Sequence, residues 1–418
     1  MLHFLYSLVF RLALPFVLLR MWWSGRGNQE ARLGWQQRLG FVPRSENPVI
    51  WVHAVSVGET IAAAPLVKAL LQRVPDTPIL MTAMTQTGLA RARAMFGDQV
   101  RYAYSPYDTP GAVKRFLGRV RPSALVIMET ELWPNMISLT HDRNVPIFLV
   151  NARLSERSAQ GYERIPSLVT PLLASITWIA AQAEEDAGRF LRIGAHPETV
   201  SVTGSIKFDV DITDDIRTCA KALRSLFGVD RPVWIAASTH RGEDEQILAA
   251  HRQVLADHPG CLLVIVPRHP ERFDSVARLI ADQGLSLSRR SKGESPAQVQ
   301  VYLGDTMGEL LMLYGATDIA FVAGSLIERG GHNPLEPAAW GVPVLTGPHV
   351  FNFETIYGSL QARNGVYVTN DSHDLAQHLH QLIVDSDRAA QAGANALAVV
   401  EANRGVLGKV VEGIVARV

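Results

Sequence analysis

The stretch Val49–Gln72, with the sequence VIWVHAVSVGETIAAAPLVKALLQ, decides the fold. Its first part, Val49–Val55, is a short and mostly apolar run, and Thr60–Gln72 carries apolar residues at helical spacing. A continuous apolar run is typical of a strand that is covered on both faces of a parallel sheet. The stretch therefore predicts a strand, a tight turn and a helix, which is the repeating unit of an α/β fold.

The same unit recurs in two series along the chain. The first series predicts strands at Val49–Val55, Ile79–Thr82, Ala124–Met128, Ile147–Val150 and Trp178–Ala181. The second predicts strands at Val233–Ala237, Leu262–Val266, Val299–Leu303, Ile319–Val322 and Val342–Leu345. A polar, aspartate-rich stretch, Thr203–Asp215, separates them. The pattern predicts two doubly wound, Rossmann-like domains facing a cleft, with ligands at the carboxyl ends of the strands.

Length and composition agree with two globular domains. A chain of 418 residues exceeds one ordinary core, and 47% hydrophobic with 19% charged residues excludes a disordered chain. Two cysteines, Cys219 and Cys261, are too few for a disulfide framework. We expect an anchor at residues 1–25, domains at 26–206 and 216–388, a linker at 207–215, and a helical segment at 389–418 that packs back on the first domain.

The first 23 residues, MLHFLYSLVFRLALPFVLLRMWW, predict attachment to a membrane. Arg11 and Pro15 interrupt the apolar run, whereas a spanning helix needs about 20 apolar residues. The run favours an anchor that lies in the membrane plane or inserts partly, and a single spanning helix is the alternative. Aromatic residues at the headgroups and basic residues on the cytoplasmic side would follow: Trp22, Trp23, Arg20, Arg26, Arg32 and Arg38.

Charge divides the chain into unlike halves. Residues 1–207 contain 22 Lys and Arg against 15 Asp and Glu, a net charge of +7, and the remainder carries −7. A basic half suits a domain that faces anionic lipid, and a solvated surface with an uneven charge distribution is the alternative.

Acidic residues follow two predicted strands of the first domain. Glu59 lies at the start of a helix, where the helix dipole stabilises a carboxylate, or where the side chain could act as a general base. Glu131 lies in Glu129–Asn135, after the strand Ala124–Met128. Acidic groups there are costly unless they are paired or used, and Glu131 could instead cap the helix that starts near Trp133.

In the second domain, hydroxyl, basic and glycine residues recur at strand ends. They lie in Ser238–Glu243, in Pro267–Pro270 with Arg268 and His269, and in Gly304–Glu309 with Met307 and Gly308. Such groups form an anion pocket suited to a nucleotide phosphate. The alternative is that these are only loop residues or helix caps. This alternative applies best to Thr306 and Glu309 and least to Arg268 and His269.

The segment Gly330–Val344, with the sequence GGHNPLEPAAWGVPV, is the most informative of the second domain. Asn333 and Pro334 predict a helix start, and Glu336 at the third position could belong to a capping box. A glycine pair beside a helix start and an acid also fits a nucleotide, because the glycines admit phosphate and a carboxylate can hold ribose hydroxyls.

No metal site is expected from the sequence. Asp209–Asp211 has an Asp-x-Asp form, but it lies in the predicted linker rather than at a strand end. A Walker loop, a G-x-G-x-x-G fingerprint and a G-x-S-x-G elbow are all absent, which argues against an ATPase, a dehydrogenase or a hydrolase.

With these motifs in order, the chain closely resembles the 3-deoxy-D-manno-octulosonic acid (Kdo) transferases over nearly its whole length. The resemblance rests on SVGE at Ser56–Glu59, METELWPN at Met128–Asn135, NARLS at Asn151–Ser155, TGSIKFD at Thr203–Asp209, PRHP at Pro267–Pro270 and GGHNPLEP at Gly330–Pro337.

The resemblance implies a GT-B glycosyltransferase on the cytoplasmic side of the cell inner membrane. Its donor would be CMP-Kdo, bound by the second domain, and its acceptor a tetraacylated lipid A precursor (lipid IVA), bound by the first. Transfer would invert the anomeric carbon, without a metal or nucleic-acid partner. Glu59 is the expected base and Glu131 the supporting acid. The expected donor site comprises Arg268, His269, Met307, Gly308, Glu309, Asn333 and Glu336.

Two other functions share some of these features. A sugar-nucleotide epimerase of the same fold would use the second-domain pocket, but it would not need an apolar anchor. A membrane-attached nucleotide-sugar sensor would bind the donor without turnover, and it would leave Glu59 and Glu131 without a role. The number of Kdo residues that are transferred does not follow from the motifs.

Overall fold

The computed structural model describes residues 2–24 and 34–418. The chain forms two compact units, the first comprising Met1–Lys207 and Gly405–Val418 and the second Phe208–Arg404. The N-terminal segment of the first unit thus ends at Lys207, one residue after the predicted domain boundary at 206. Arg26, Arg32, the predicted end of the anchor at residue 25 and the side chain of Trp22 lie outside the described residues.

The first unit is a parallel sheet between layers of helices. Among the residues that the structure describes, its strands are β1 (Val49–His53), β2 (Ile79–Ala83), β3 (Arg101–Tyr104), β4 (Pro122–Met128), β5 (Ile147–Ala152), β6 (Trp178–Ala181) and β7 (Val200–Val202). Their order in the sheet is β3-β2-β1-β4-β5-β6-β7. Its helices before residue 207 are α1 (Leu2–Ser24), α2 (Trp35–Arg38), α3 (Val57–Arg73), α4 (Gln86–Phe96), α5 (Pro110–Val120), α6 (Pro134–His141), α7 (Glu156–Glu163), α8 (Pro166–Ala174) and α9 (Glu184–Arg192).

The second unit repeats this plan. Its strands are β8 (Val233–Thr239), β9 (Leu262–Pro267), β10 (Leu287–Arg289), β11 (Val301–Leu303), β12 (Ile319–Val322), β13 (Val344–Thr346) and β14 (Val366–Val368), in the order β10-β11-β9-β8-β12-β13-β14. Its helices are α10 (Asp214–Phe227), α11 (Asp244–Asp257), α12 (Phe273–Asp282), α13 (Leu310–Tyr314), α14 (Leu335–Ala339), α15 (Glu354–Ala362), α16 (Ser372–Val384) and α17 (Ser386–Ala402).

All ten predicted strands are present, and the prediction of two doubly wound parallel sheets is confirmed. Four strands were missed, namely β3, β7, β10 and β14, and these are the edge strands of the two sheets. An edge strand has one neighbour and is less covered, as in Val200–Val202, where no residue is fully buried. Such a strand lacks the continuous apolar run by which buried strands are recognised.

The C-terminal segment divides between the units, which corrects the expectation for residues 389–418. Helix α17 packs against α14 within the second unit. Helix α17 ends at Ala402, and Gly405, in the left-handed region at φ 84°, takes the N-cap position of a last helix, α18 (Val406–Val415). Helix α18 belongs to the first unit and packs on α3. Only Gly405–Val418, nearly half of the predicted segment, therefore returns to the first unit.

The predicted linker at 207–215 is also more structured than expected. Phe208 is buried in the core of the second unit, and Val210 and Ile212 pack against the same cluster. Thr213 accepts a hydrogen bond from the backbone N–H of Ile216 and so caps α10. The alternation of apolar and acidic residues places one face of this stretch on the core, which its polar composition concealed.

Helix α1 runs from Leu2 to Ser24 and passes through Pro15. Leu2–Arg20 has a mean hydropathy of 1.9, and by length and composition it is the one helix in the described ranges that could cross a membrane. One face contacts the body of the first unit, where Ser7 is buried. Large apolar side chains on the opposite face are exposed, as in Phe4 (72%), Leu12 (64%) and Phe16 (74%). Such a contiguous apolar face indicates contact with lipid or a partner.

Candidate active site

The acidic residues of the first unit meet at one edge of the sheet. Strands β1, β4 and β5 are neighbours, so their carboxyl ends lie side by side. Glu59 follows β1, Glu131 follows β4, and Arg153 and Ser155 follow β5. These residues line a pocket of about 260 Å³ together with Tyr162. The structure therefore brings together the two carboxylates that the sequence predicted at this site.

Glu59 is held in place by the start of α3. Ser56 caps the helix by accepting a hydrogen bond from the backbone N–H of Glu59, and its hydroxyl donates to Glu59 Oε1 at 2.8 Å. The backbone N–H of Val55 donates to Glu59 Oε2 at 2.8 Å. Both carboxylate oxygens keep free lone pairs for a ligand. The capping and the functional interpretations of Glu59 are thus compatible.

Burial is the main influence on the acidity of Glu59. It raises the pKa of the carboxyl, and the charge of Glu129 adds to this effect, whereas the hydrogen bonds from Val55 and Ser56 lower it. A raised pKa makes a carboxylate a stronger base, provided that it is still ionised at the working pH.

Glu131 does not cap the following helix, which was one of its two predicted roles. Its carboxylate accepts a hydrogen bond of 2.7 Å from the indole N–H of Trp133. Burial raises the pKa of Glu131 to about 7, and the charges of Glu59 and Glu129 contribute in the same direction. Glu131 can therefore exchange a proton near neutral pH.

Asp108 caps helix α6 instead, a role that has no local signal in the sequence. Its carboxylate accepts hydrogen bonds from the backbone N–H groups of Asn135 (2.9 Å) and Met136 (2.7 Å). Asp108 is 3% exposed, and burial raises the pKa of its carboxyl. The cap comes from a residue 27 positions away, so only the folded chain reveals that it fixes the loop that carries Glu131.

The predicted donor-site segments of the second unit also share one sheet edge. They follow β11, β9, β8 and β12, which are consecutive neighbours in the sheet. The carboxyl ends of parallel strands meet at the same edge, where ligands of open α/β sheets bind.

Three histidines cluster at this edge. The Nε2 atoms of His240 and His332 are 2.9 Å apart, with their rings stacked. His269 meets His240 edge to face, with 5.4 Å between ring centroids. Burial, reinforced by nearby positive charge, lowers the pKa of both His240 and His332 to about 4. Both rings are therefore neutral at pH 7 and offer hydrogen bonds rather than charge. His240 and His332 were quoted in motifs but were not among the predicted site residues.

Glu336 interacts electrostatically with Arg268. Burial raises the pKa of Glu336 to about 7, while Arg268 and a hydrogen bond from Asn333 lower it. Asn333 also accepts a hydrogen bond of 3.1 Å from the backbone N–H of Leu335, but Pro334 takes the N-cap position of α14, so the helix starts one residue later than predicted. Arg268, His269, Asn333 and Glu336 are thus brought to one place.

The remaining predicted donor residues follow β11. Glu309 accepts hydrogen bonds from Arg290 at 2.8 and 3.1 Å and from the hydroxyl of Thr306, so its carboxylate is occupied within the unit. Met307 is 56% exposed, and Gly308 adopts φ 85° with open space around its Cα. A donor contact at Met307, Gly308 and Glu309 stays a prediction.

Glu243 has a structural role that sequence reasoning missed. Its carboxylate is fully buried and accepts hydrogen bonds from the backbone N–H groups of Gly324 (2.8 Å), Ser325 (3.0 Å) and Leu326 (3.0 Å), and from that of His240 (3.1 Å). One carboxylate therefore ties the loop after β8 to the loop after β12. The residues Ser238–Glu243 predicted part of an anion pocket, but the sequence did not indicate that Glu243 holds the loop in its conformation.

Among residues 2–24 and 34–418, no group of three or more His, Cys, Asp or Glu side chains is arranged to hold a metal ion.

Two family models match the chain in succession. The model described as 3-deoxy-D-manno-octulosonic-acid transferase (kdotransferase) matches residues 33–210, and that of the glycosyl transferases group 1 matches residues 230–399. The junction between the two matches lies close to the boundary between the two structural units.

Similar proteins share most of their length with this chain. A 3-deoxy-D-manno-octulosonic acid transferase of Haemophilus influenzae is 44% identical over 90% of this chain and 89% of its own length. One from Bordetella pertussis is 40% identical over 84% of each chain. The UDP-GlcNAc 2-epimerase of Neisseria meningitidis bound to UDP-GlcNAc shares the fold, with a TM-score of 0.58, 14% identity, and coverage of 88% of this chain and 100% of that one. The chain belongs to the 3-deoxy-D-manno-octulosonic acid transferase family and is a Kdo transferase with a GT-B fold.

Proposed function

We propose that this Kdo transferase moves Kdo from CMP-Kdo to a tetraacylated lipid A precursor, with inversion at the anomeric carbon and with Glu59 as general base. The observation that carries the proposal is the state of Glu59. Its carboxylate is held by Val55 and Ser56, opens on the acidic pocket of the first unit and has a raised pKa.

The reaction forms one bond and breaks another at C2 of Kdo. A primary hydroxyl of the acceptor glucosamine attacks C2, and Glu59 accepts the hydroxyl proton as the C–O bond forms. The bond between C2 and the phosphate oxygen breaks on the opposite face, so the configuration inverts and CMP leaves. Glu131, with a pKa of about 7, then supports the reaction by exchanging a proton with Glu59 or with solvent.

Arg268 and His269 are the groups of the second unit that suit the departing phosphate. A guanidinium matches phosphate oxygens in a bidentate way, and His269 is exposed at the carboxyl edge of the sheet. Neutral His240 and His332 can donate further hydrogen bonds to the sugar acid or to phosphate. CMP is a monophosphate and develops less charge than a nucleoside diphosphate, so the proposed reaction uses no metal or other cofactor.

The proposed location is the cytoplasmic side of the inner membrane, with α1 as the anchor. Exposed apolar residues on one face of α1 and the net charge of +7 over residues 1–207 support contact with a membrane whose acceptor carries two phosphates. CMP-Kdo, the lipid A precursor and inner-membrane lipids are then the partners of this chain.

Transfer to the acceptor, followed by mass spectrometry, tests this proposal. We expect the wild type to add at least one Kdo to a tetraacylated, bisphosphorylated glucosamine disaccharide, and Glu59→Ala to be slower by roughly 10²- to 10⁴-fold because the general base is lost. Glu198→Ala, which removes a carboxylate whose side chain is 88% exposed, is the matched control and should keep full activity.

Two results would contradict parts of the proposal. A folded wild type that binds CMP without transferring Kdo to this acceptor would exclude the lipid A precursor as substrate. Full activity of Glu59→Ala would keep the reaction but would move the base to another residue, of which Glu131 is the first to examine.

A further inference from the structure

A second pocket of the first unit, of about 370 Å³, lies between α1 and the loops that follow β3 and β4. Its lining is almost entirely apolar. Helix α1 contributes Val9, Ala13 and Val17, and the body of the unit contributes Pro106, Trp133 and Met136. The volume lies in the range of about 300–1,000 Å³ that is usual for small-molecule sites. An apolar pocket of this size can hold several methylene groups of a hydrocarbon chain.

The wall formed by α1 is fixed to the start of α6 by polar contacts. The hydroxyl of Ser7 donates a hydrogen bond of 2.9 Å to Asn135 Oδ1, and His3 Nε2 lies 3.2 Å from the same oxygen. Asn135 Nδ2 in turn donates to the backbone oxygen of Asp108 at 2.7 Å. Helix α1 is therefore docked on the first turn of α6, in addition to presenting an apolar face to its surroundings.

The pocket offers no unpaired charge to a ligand. Asp108 borders it, but its carboxylate is already occupied by the backbone N–H groups of Asn135 and Met136. A polar or ionic ligand would find few partners here, whereas a hydrocarbon chain needs none. The chemistry of the pocket thus selects for an aliphatic ligand.

Trp133 joins this pocket to the acidic one. Its ring lines the apolar pocket, while its indole N–H donates to Glu131, which lines the pocket that contains Glu59. A ligand that extends past Trp133 would therefore have a sugar hydroxyl among carboxylates at one end and an apolar chain at the other. A glycolipid has this arrangement.

We propose that the apolar pocket between α1 and Trp133 binds part of one acyl chain of the acceptor. This inference rests on the proposed function, because it assigns a subsite to the same lipid acceptor. The occupant is the acceptor's own chain rather than a bulk membrane lipid, since Trp133, which lines this pocket, is hydrogen-bonded to Glu131 of the acidic pocket. The exposed face with Phe4, Leu12 and Phe16 is the surface for bulk lipid.

Photo-crosslinking tests the pocket without depending on turnover. The full chain in detergent micelles is irradiated with a tetraacylated, bisphosphorylated glucosamine disaccharide that carries a diazirine on one acyl chain. We expect the labelled positions to be lining residues of the pocket, namely Val9, Ala13, Val17, Trp133 or Met136, with labelling competed by the unlabelled disaccharide lipid. A diazirine phospholipid that labels these positions equally well and resists that competition would overturn the assignment to the acceptor.

A pair of neighbouring substitutions separates the pocket from the exposed face. Ala13→Trp fills the pocket, whereas Leu12→Trp places the same ring on the face that is 64% exposed. We expect Ala13→Trp to abolish labelling in the pocket and to raise KM for the tetraacylated acceptor roughly tenfold, as expected when about two methylenes lose their burial. Leu12→Trp should change neither labelling nor KM.

A deacylated acceptor with the same sugars and phosphates completes the test. Ala13→Trp should leave its kcat and KM unchanged, because it lacks the chain that the pocket binds. An equal loss with both acceptors would show a merely structural role for Ala13 and would overturn the inference. If the pocket is labelled but the wild type transfers no Kdo, the proposed reaction is contradicted and the acyl site is not. Labelling only at Phe4, Leu12 or Phe16 would overturn the acyl site.

Discussion

At the scale of single residues, the charge of one glutamate of the acidic pocket influences the protonation of two others. The charge of Glu129 raises the pKa of both Glu59 and Glu131, and the charge of Glu59 raises that of Glu131 further. Glu129 itself has φ 57° and lies 3.9 Å from the ammonium of Lys207. It is not assigned to the chemistry, so its charge can be removed while the proposed base is kept.

We expect Glu129→Gln to move the acidic limb of the pH profile of kcat/KM to lower pH. Removal of this charge lowers the pKa of Glu59, and a general base is active only when it is ionised, so activity persists further into acid. Steady-state rates between pH 4 and 8 measure the shift. Glu198→Gln removes a distant carboxylate and should leave the limb in place. An unmoved limb in Glu129→Gln would show that Glu59 does not govern it.

Glu243 gives a second prediction at this scale. Glu243→Ala leaves the buried backbone N–H groups of His240, Gly324, Ser325 and Leu326 without their acceptor. We expect the free energy of unfolding of the second unit to fall by roughly 3 kcal/mol or more, since each buried unsatisfied donor costs about 1–3 kcal/mol.

Denaturant titration followed by circular dichroism measures this loss. Glu245→Ala, which changes an exposed residue in the first turn of the helix that Glu243 precedes, is the control and should change stability by less than about 0.5 kcal/mol. Equal stability of the two variants would mean that Glu243 does not hold the two loops together.

At the scale of elements, α18 completes the first unit although it is the last element of the chain. Val406, Val410 and Ile414 are buried in the core cluster that contains Ala63 and Leu66 of α3. A Cβ on Gly413 would come within 2.5 Å of the ring of Trp178, so the helix approaches β6 closely. The first unit therefore depends on 14 residues that follow the whole of the second unit.

Deletion of residues 405–418 should destabilise the first unit selectively. Buried valine and isoleucine side chains contribute about 1.5–3 kcal/mol each, so loss of four of them exceeds the stability margin of many domains. Limited proteolysis with mass spectrometry should show faster cleavage within residues 34–207 and unchanged protection of 208–404. Deletion of Arg417 and Val418 alone is the control. Equal protection of both units in the longer deletion would contradict a core role for α18.

At the scale of the whole molecule, each unit has its own hydrophobic core. Trp51 and Phe116 are fully buried in the first, and Trp234, Phe321 and Tyr357 are fully buried in the second. The second unit is continuous in sequence from Phe208 to Arg404, whereas the first is assembled from both ends of the chain. A continuous segment with its own core is expected to fold by itself.

We therefore expect residues 208–404, expressed alone, to unfold cooperatively and to bind CMP within about threefold of the affinity of the full chain. Thermal unfolding followed by circular dichroism and titration calorimetry with CMP measure the two properties. Glu336→Gln in the same segment tests whether the predicted ribose contact contributes. A segment that folds but does not bind CMP would place part of the nucleotide site in the first unit.

Local pattern was enough to predict the buried strands and the position of the candidate site segments at strand ends. The apolar runs of Val49–Val55 and Val233–Ala237 identify central strands because such strands are covered on both faces. The motif acids Glu59 and Glu336 follow strands whose carboxyl ends form the edges where binding is predicted. The resemblance to the Kdo transferases required only the order of these motifs. The family comparison confirmed it.

Tertiary structure alone decided features that depend on residues far apart in the chain. The cap of α6 by Asp108, the clamp of two loops by Glu243 and the return of α18 to the first core have no local signal, because each partner lies tens to hundreds of residues away. The pKa of Glu131 likewise follows from burial and from neighbours that only folding brings close. Periodicity records which face of an element is buried, whereas the partner across that face is set by the packing of the whole unit.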